Sequence, residues 1–241
     1  MLTANLEIVI PVTIKLNMAF DLIDCLTKGS VMPKRVTVID NSQEFQYLKS
    51  TPFDLKIYQD GISRHCHEVW NFARSLILPD VSYVMFLNDD ILVNRFFVER
   101  VMHIYNRVPA AVVCGTLAEK IVYSFNNIGP PTITKMGKRE GICFAINKNI
   151  LDFIPPIPSE LKRYYGDDWY WWWTRKMGLD WYKDLNNVVY HYGGATMKHP
   201  KFNHSKKAFF LQERAAYVKI INAIENGELH QHEYDAVCRV Y

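Results

Sequence analysis

What this 241-residue chain lacks narrows its function before any motif does. No CxxC pair occurs, and the five cysteines, Cys25, Cys66, Cys114, Cys143 and Cys238, are scattered and odd in number. Such a set suggests neither a disulfide framework nor a structural zinc site; buried thiols in a reducing compartment are expected instead. No apolar run approaches the ~18 residues of a membrane span, and Met1-Leu2-Thr3-Ala4-Asn5 lacks the basic stretch that opens a signal peptide. A soluble, cytoplasmic protein is the expectation. Net charge is only +3, too small to argue for nucleic acid from the chain as a whole. There is no internal repeat and no low-complexity linker. A glycine-rich, basic phosphate loop is also missing from the end of the first apolar run, which reads Pro11-Val12-Thr13-Ile14-Lys15.

What is present belongs to a folded protein. Hydrophobic residues make up 49% and aromatic residues 14%, which excludes a disordered chain. The length suits one large domain or two small ones. Leu6-Glu7-Ile8-Val9-Ile10-Pro11-Val12 reads as a first buried strand, and residues 17–28 place Met18, Leu22, Ile23 and Leu26 at helical spacing before Gly29. Arg35-Val36-Thr37-Val38-Ile39-Asp40 and Leu55-Lys56-Ile57-Tyr58 read as further strands, and residues 64–78 as a helix with Val69, Phe72, Ala73 and Leu76 on one face. A strand at 83–87 and a helix at 96–105 follow. This β-α-β-α-β-α-β order argues for a doubly wound, largely parallel sheet. In the second half, residues 111–114 and 141–146 read as strands, with a long Pro-, Gly- and Asn-rich loop at 126–138 of the kind that often borders a site. Pro155-Pro156-Ile157-Pro158 forces an extended connection. Helices are predicted from Gly166 to about Met177, closed by Gly178, and over 206–226.

Chemistry concentrates at the ends of these elements. Tyr83-Val84-Met85-Phe86-Leu87 delivers Asn88-Asp89-Asp90 at a strand's carboxyl end, where ligands of open α/β sheets gather. Adjacent acids repel, and a hard divalent cation is one way to stabilise them; a solvated acidic helix cap is the other. Pro11, Asp40 and Asp90 would line one edge of the sheet. Asp167 and Asp168 fall in the first turn of their helix, where the dipole favours carboxylates. The block Trp169-Tyr170-Trp171-Trp172-Trp173 is mostly core, with one or two rings as a wall for a planar or sugar ligand. His191 ends a strand before Gly193 and Gly194, where it can be structural or can complete an Asp/His metal set with Asp90. His65-Cys66-His67 is discounted as a metal site because neighbours on a helix do not face one another. Lys198, His199, Lys201, His204, Lys206 and Lys207 form a late basic stretch, either a solvated loop or a clamp on phosphates.

Taken in order, Val9-Ile10-Pro11-Val12, Val38-Ile39-Asp40-Asn41-Ser42, Gly61 with Val69-Trp70-Asn71, Asn88-Asp89-Asp90, Gly166-Asp167-Asp168 and His191-Tyr192-Gly193-Gly194-Ala195-Thr196 resemble the family 2-like glycosyltransferases of the GT-A fold, over roughly residues 6–197. The resemblance implies a GT-A domain at 1–198, with a nucleotide-binding half at about 1–92 and an acceptor half at about 93–198. A basic loop and a C-terminal amphipathic helix would follow at 199–241. Pro11, Val12, Thr13 and Asp40 would meet the nucleotide, with Asp40 accepting from the base, and Asn71 would lie near it. Asn88 and Asp89 would face the ribose or donor sugar. Asp90 and His191 would hold Mn2+ or Mg2+, and Asp168 would be the catalytic base, with Asp167 as runner-up. The sequence departs from the family in Asn88, in an Asp-Asp rather than Glu-Asp pair, and in a displaced acceptor-site arginine, for which Arg175 is the nearest candidate.

The expected activity is metal-dependent, inverting transfer of a sugar from a nucleotide-sugar, a uridine one, to an acceptor hydroxyl. The acceptor is a glycan or, as a minority reading, a hydroxymethylated base in phage DNA, whose binding would depend strongly on salt. Competing readings are a metal-dependent nucleotidyltransferase, against which the missing phosphate loop counts, and a non-catalytic nucleotide- or carbohydrate-binding module.

Overall fold

The computed structural model describes residues 2–13, 16–118, 129–137, 141–192 and 206–228. Gly193, Gly194, Lys198, His199, Lys201, His204, Cys238 and the ends of the 126–138 loop lie outside the described residues. The strands are β1 (Leu2–Val12), β2 (Val31–Asp40), β3 (Asp54–Tyr58), β4 (Tyr83–Leu87), β5 (Ile91–Val93), β6 (Val112–Ala118), β7 (Ile133–Lys135), β8 (Cys143–Asn147) and β9 (Trp181–His191). The helices are α1 (Leu16–Thr27), α2 (Cys66–Arg74), α3 (Phe97–Tyr105), α4 (Lys148–Phe153), α5 (Gly166–Lys176) and, labelled α6 here, Lys206–Glu225.

All nine strands form one sheet in the order β3-β2-β1-β4-β8-β6-β9-β5, with β7 also paired to β9. β1 to β4 run parallel, β8 reverses, β6 and β9 return to the first direction, and β5 and β7 oppose β9. Six of the nine strands therefore point one way, as the buried apolar runs predict. The strict β-α-β alternation is corrected: as the runs at 35–40 and 55–58 themselves read, no helix separates β2 from β3, whose parallel pairing is reached through an irregular stretch at 41–53 that buries Phe45. The 126–138 loop also contains a short strand, β7, held by β9.

Period-2 alternation sorts side chains onto two faces. Ile8, Ile10, Val36, Val38, Met85 and Leu87 pack under α1 and α3, while Val9, Ile39, Val84 and Phe86 pack under α2, α5 and α6. The second face holds the aromatic centre, where Trp70, Phe86, Phe144 and Tyr170 sit with ring centroids 5.2–6.2 Å apart. Trp169, Tyr170 and Trp173 are buried, and half-buried Trp171 and Trp172 pack on Trp181 and on Trp169 and Trp173. The block is therefore mostly core, as expected, with Trp171 and Trp172 the two rings left partly exposed.

Buried polar groups tie the layers together. Glu7 of β1 accepts from Thr37 Oγ1 (2.6 Å) and from the Leu78 amide (2.8 Å), linking β1, β2 and the chain after α2. Asn71 of α2 exchanges both bonds with the Ile157 backbone, donating at 2.7 Å and accepting at 2.8 Å. This side chain docks the proline-rich connection, whose backbone groups need partners once the prolines rule out a regular element. Among the described residues, no helix is long and apolar enough to cross a membrane.

Candidate active site

The parallel strands bring their carboxyl ends to one edge. Val12 pairs with Asp40 across β1 and β2, and the Thr13 amide donates to Asp89 Oδ2 at 3.3 Å. Pro11 and Val12 are buried, so their side chains belong to the core, and half-buried Thr13 carries this strand end into the site.

Asp40 is also buried, and it has a different role from the one expected. Oδ1 accepts from the Ser42 amide and hydroxyl, and Oδ2 accepts from the Phe45 amide and Gln59 Nε2, both at 2.8 Å. A carboxylate offers about four acceptor positions, and here all are taken, which leaves none for a base. Burial alone would raise its pKa, but these four bonds outweigh that and hold the carboxyl below its usual range. Asp40 therefore organises the turn beside the site. Asn41 extends the same scaffold by bonding the Arg64 backbone in both directions.

At the end of β4, the half-buried Asn88 donates its amide to the Ile142 carbonyl (3.0 Å), and Asp89 and Asp90 turn inward, both buried. β5 pairs with the end of β9, placing Ile91 opposite His191. This register sets His191 Nε2 3.1 Å from Asp90 Oδ1. Burial, then the charge of Asp90, push the Asp89 carboxyl up to about 7, opposed by the Thr13 amide and His191. Two buried carboxylates faced by one imidazole make a site short of positive charge. Asp90 and His191 are an oxygen and a nitrogen donor that could hold a divalent cation between them, although among the described residues no group of three or more His, Cys, Asp or Glu side chains is arranged to hold one.

A second acidic group lies nearby, at the start of α5. Asp167 lies against Gly141, where an added Cβ would fall 2.4 Å from the Asp167 carboxyl group. Gly141 precedes Ile142, the partner of Asn88, so Asp167 adjoins the Asp89–Asp90 turn. Cys66, at the start of α2, senses both groups: burial, then Asp89, Asp167 and Asp90, push its thiol up to about 12. Asp168 is 9% exposed, and its carbonyl accepts from Tyr217 Oη at 3.3 Å. Arg175, considered for the acceptor site, is bonded to Asp180 in the last turn of α5.

His67 is the residue the sequence undervalued. It makes no metal triple with His65 and Cys66, but it is buried beside the acid pair. Its Nδ1 lies 2.8 Å from the Leu161 carbonyl, so that nitrogen carries the proton. Burial holds its pKa down, opposed by the Leu161 bond and by Asp167 and Glu213. The other ring edge fills the space above Gly166, where a Cβ would sit 2.4 Å from Nε2. Gly166→Ala is therefore expected to destabilise the fold by about 1–3 kcal/mol, the usual cost of overpacking, read as a lower midpoint in urea. An unchanged midpoint would show that the ring moves aside freely.

No family model and no curated protein sequence matches the chain. Solved structures do. GalNAc-T7, crystallised with UDP, GalNAc and Mn2+, superposes with a TM-score of 0.63 at 9% identity, over 77% of this chain and 43% of that one. TarS of S. aureus, as residues 1–349 with UDP, gives 0.55 at 15% identity over 77% and 59%. Another TarS structure gives 0.59 at 16% identity over 97% and 42%. The chain thus spans less than two thirds of each of these proteins. At such identities the likeness is one of architecture: the chain has the α/β fold of the GT-A glycosyltransferases.

Proposed function

We propose that this chain is a metal-dependent, inverting glycosyltransferase that moves a sugar from a uridine diphosphate sugar to an acceptor hydroxyl, a glycan being the expected acceptor. The observation that carries this reading is the meeting of Asp89, Asp90 and His191 beside Thr13 at the sheet edge, with the Asp167–Asp168 helix start close by. The presence of UDP in two of the neighbouring structures, and of Mn2+ in one, supports the choice of nucleotide and cation. A divalent cation held by Asp90 and His191 would act as a Lewis acid on the diphosphate leaving group.

The acids divide the remaining work. Asp167 adjoins the leaving-group side, against Gly141 and within reach of the field of the Asp89–Asp90 turn. Asp168 comes one residue later, about 100° around the helix. In our reading it accepts the proton of the acceptor hydroxyl as that oxygen bonds the anomeric carbon and the diphosphate oxygen departs. A single displacement inverts the configuration. Asp89 receives the Thr13 amide and so fixes the end of β1 against the donor.

Calorimetric titration of UDP and of UDP-glucose, UDP-GlcNAc and UDP-GalNAc, with manganese and again with EDTA, tests the reading. Metal-dependent binding is expected; absence of binding to every nucleotide overturns it in favour of a non-catalytic module. Asp90→Ala is expected to erase the manganese-dependent gain, bringing the two UDP titrations to within about twofold of each other, a complete loss where even an outer-shell partner is worth about 10–100-fold. A gain kept at wild-type size would remove Asp90 from the metal site.

A further inference from the structure

The segment that leads into the acid pair is held from outside the sheet, by α6. Glu213 of this helix is only 2% exposed although it lies between two exposed residues, Gln212 and Arg214. Its Oε2 accepts from two successive amides, Arg163 N at 3.0 Å and Tyr164 N at 2.8 Å, while Oε1 is buried without a hydrogen-bond partner among the described residues. Burying a carboxylate is costly, and leaving one oxygen unsatisfied adds to the cost. The two bonds fall just before Tyr165, which adopts φ +68°, a left-handed conformation that is strained for a tyrosine. Gly166, Asp167 and Asp168 follow at once.

The same face of α6 completes the hold. Phe210 and Tyr217 lie three residues before and four after Glu213, so all three side chains share one stripe. Phe210 meets the Tyr164 ring edge-on at 5.3 Å, and Tyr217 stacks on the Tyr165 ring at 5.3 Å and 21° while its hydroxyl donates to the Asp168 carbonyl. From the opposite side, His67 fixes the Leu161 carbonyl and its amide donates to the Lys162 carbonyl at 3.3 Å. Residues 161–165 are thus pinned between α2 and α6. The strained turn persists because these bonds over-determine it.

We infer that Glu213 is a positioning residue: through the Arg163 and Tyr164 amides it sets the Tyr165 turn and thereby aims the Asp167–Asp168 pair at the acceptor, making α6 part of the catalytic apparatus. This rests on the transferase reading above. A small misplacement of a catalytic base costs rate far more than it costs binding of a donor held elsewhere.

The test compares wild type, Glu213→Met, Glu213→Gln and Tyr217→Phe by hydrogen–deuterium exchange over residues 161–168, by UDP affinity with manganese, and by UDP release from UDP-GlcNAc, UDP-GalNAc and UDP-glucose. Glu213→Met removes the acceptor while keeping the chain length. It is expected to speed exchange at 163–164 and to lower kcat about 10- to 100-fold, with UDP affinity and KM for the donor near wild type. Glu213→Gln keeps a carbonyl oxygen and is expected to restore most of both properties. Tyr217→Phe keeps the stacked ring and is expected to lower kcat severalfold. Should Glu213→Met fail to fold, Tyr217→Phe decides: a severalfold lower kcat at unchanged donor KM supports the role, and a wild-type kcat overturns it. Unchanged exchange in folded Glu213→Met, or a wild-type kcat, overturns the inference; so does an equal loss of UDP affinity and kcat, the mark of a general structural role. If wild type itself neither binds UDP nor releases it, the transferase reading falls and this role falls with it, while the exchange data report separately whether α6 braces the turn.

Discussion

Asp168→Asn is expected to lower sugar transfer by about 10²–10⁴-fold, the usual contribution of a general base, while manganese-dependent UDP binding stays near wild type. Asparagine keeps the volume and much of the hydrogen bonding of the carboxylate but accepts no proton at the working pH. The side chain lies in the first turn of α5, where free amides and the helix dipole favour an anion, worth only about 0.3–1 kcal/mol to the fold. The loss should therefore be catalytic, with little change in melting temperature. Asp167→Asn is the companion measurement. Its carboxyl packs on Gly141 beside the Asp89–Asp90 turn, so the expected effect is a smaller loss. If Asp167→Asn abolishes transfer and Asp168→Asn does not, the roles are exchanged. If neither lowers it, the base lies elsewhere.

The largest effect on stability is expected at Arg100. Its guanidinium, on α3, meets Asp184 of β9 at 2.5 Å, with side chains only 9% and 1% exposed. Arg100 also donates to the Gly129 carbonyl, and Asp184 Oδ1 accepts from the Thr132 amide (2.8 Å) and the Asn186 amide (3.0 Å). Removing the cation leaves a buried carboxylate without its counter-charge. Arg100→Ala should thus cost about 3–5 kcal/mol, a large part of the ~5–15 kcal/mol of a typical domain. Arg100→Met with Asp184→Leu should cost less than Arg100→Ala alone, because no isolated charge remains buried, although two amides lose an acceptor. Urea unfolding of the single and double variants checks both statements. A single variant within about 1 kcal/mol of wild type would mean that water reaches Asp184 and replaces the cation.

The sheet was legible because its central strands are continuous apolar runs, and period and length together identify such runs. Val84-Met85-Phe86-Leu87 admits little else, and the acids that follow it had to emerge at a strand end. The connection from β2 to β3 was not legible as an irregular stretch, since its order comes from Asp40 capping a turn with both carboxylate oxygens, a pattern set by three-dimensional closure. The bonds of Asn71 were hidden for the same reason. An asparagine on a helix face carries no mark of whether it will meet a ligand or the backbone of residue 157. Asp90 and His191 could be paired from residue type, whereas His67 was dismissed on the correct ground that helix neighbours do not converge. Its actual partners, Leu161 and Gly166, are about a hundred positions away. The one sequence sign of its place was glycine at 166, which leaves room for a ring. Glu213 gave a fainter sign, a carboxylate on the apolar side of an otherwise amphipathic helix.

The Asp90–His191 contact also bears on how and when the protein becomes competent. The two residues are 101 positions apart in sequence, and β9, which carries the histidine, seats on β6, β5 and β7. Pairings of that span form late, after the cost of closing a long loop has been met. During synthesis, the acidic turn at the end of β4 therefore exists for some time without its histidine, while about half of the sheet is still to be added. In the transferase reading, activity would then require β9 in place, and a proteolytic cut anywhere between β5 and β9 that lets the later strands dissociate would abolish it even if β1–β4 stayed folded.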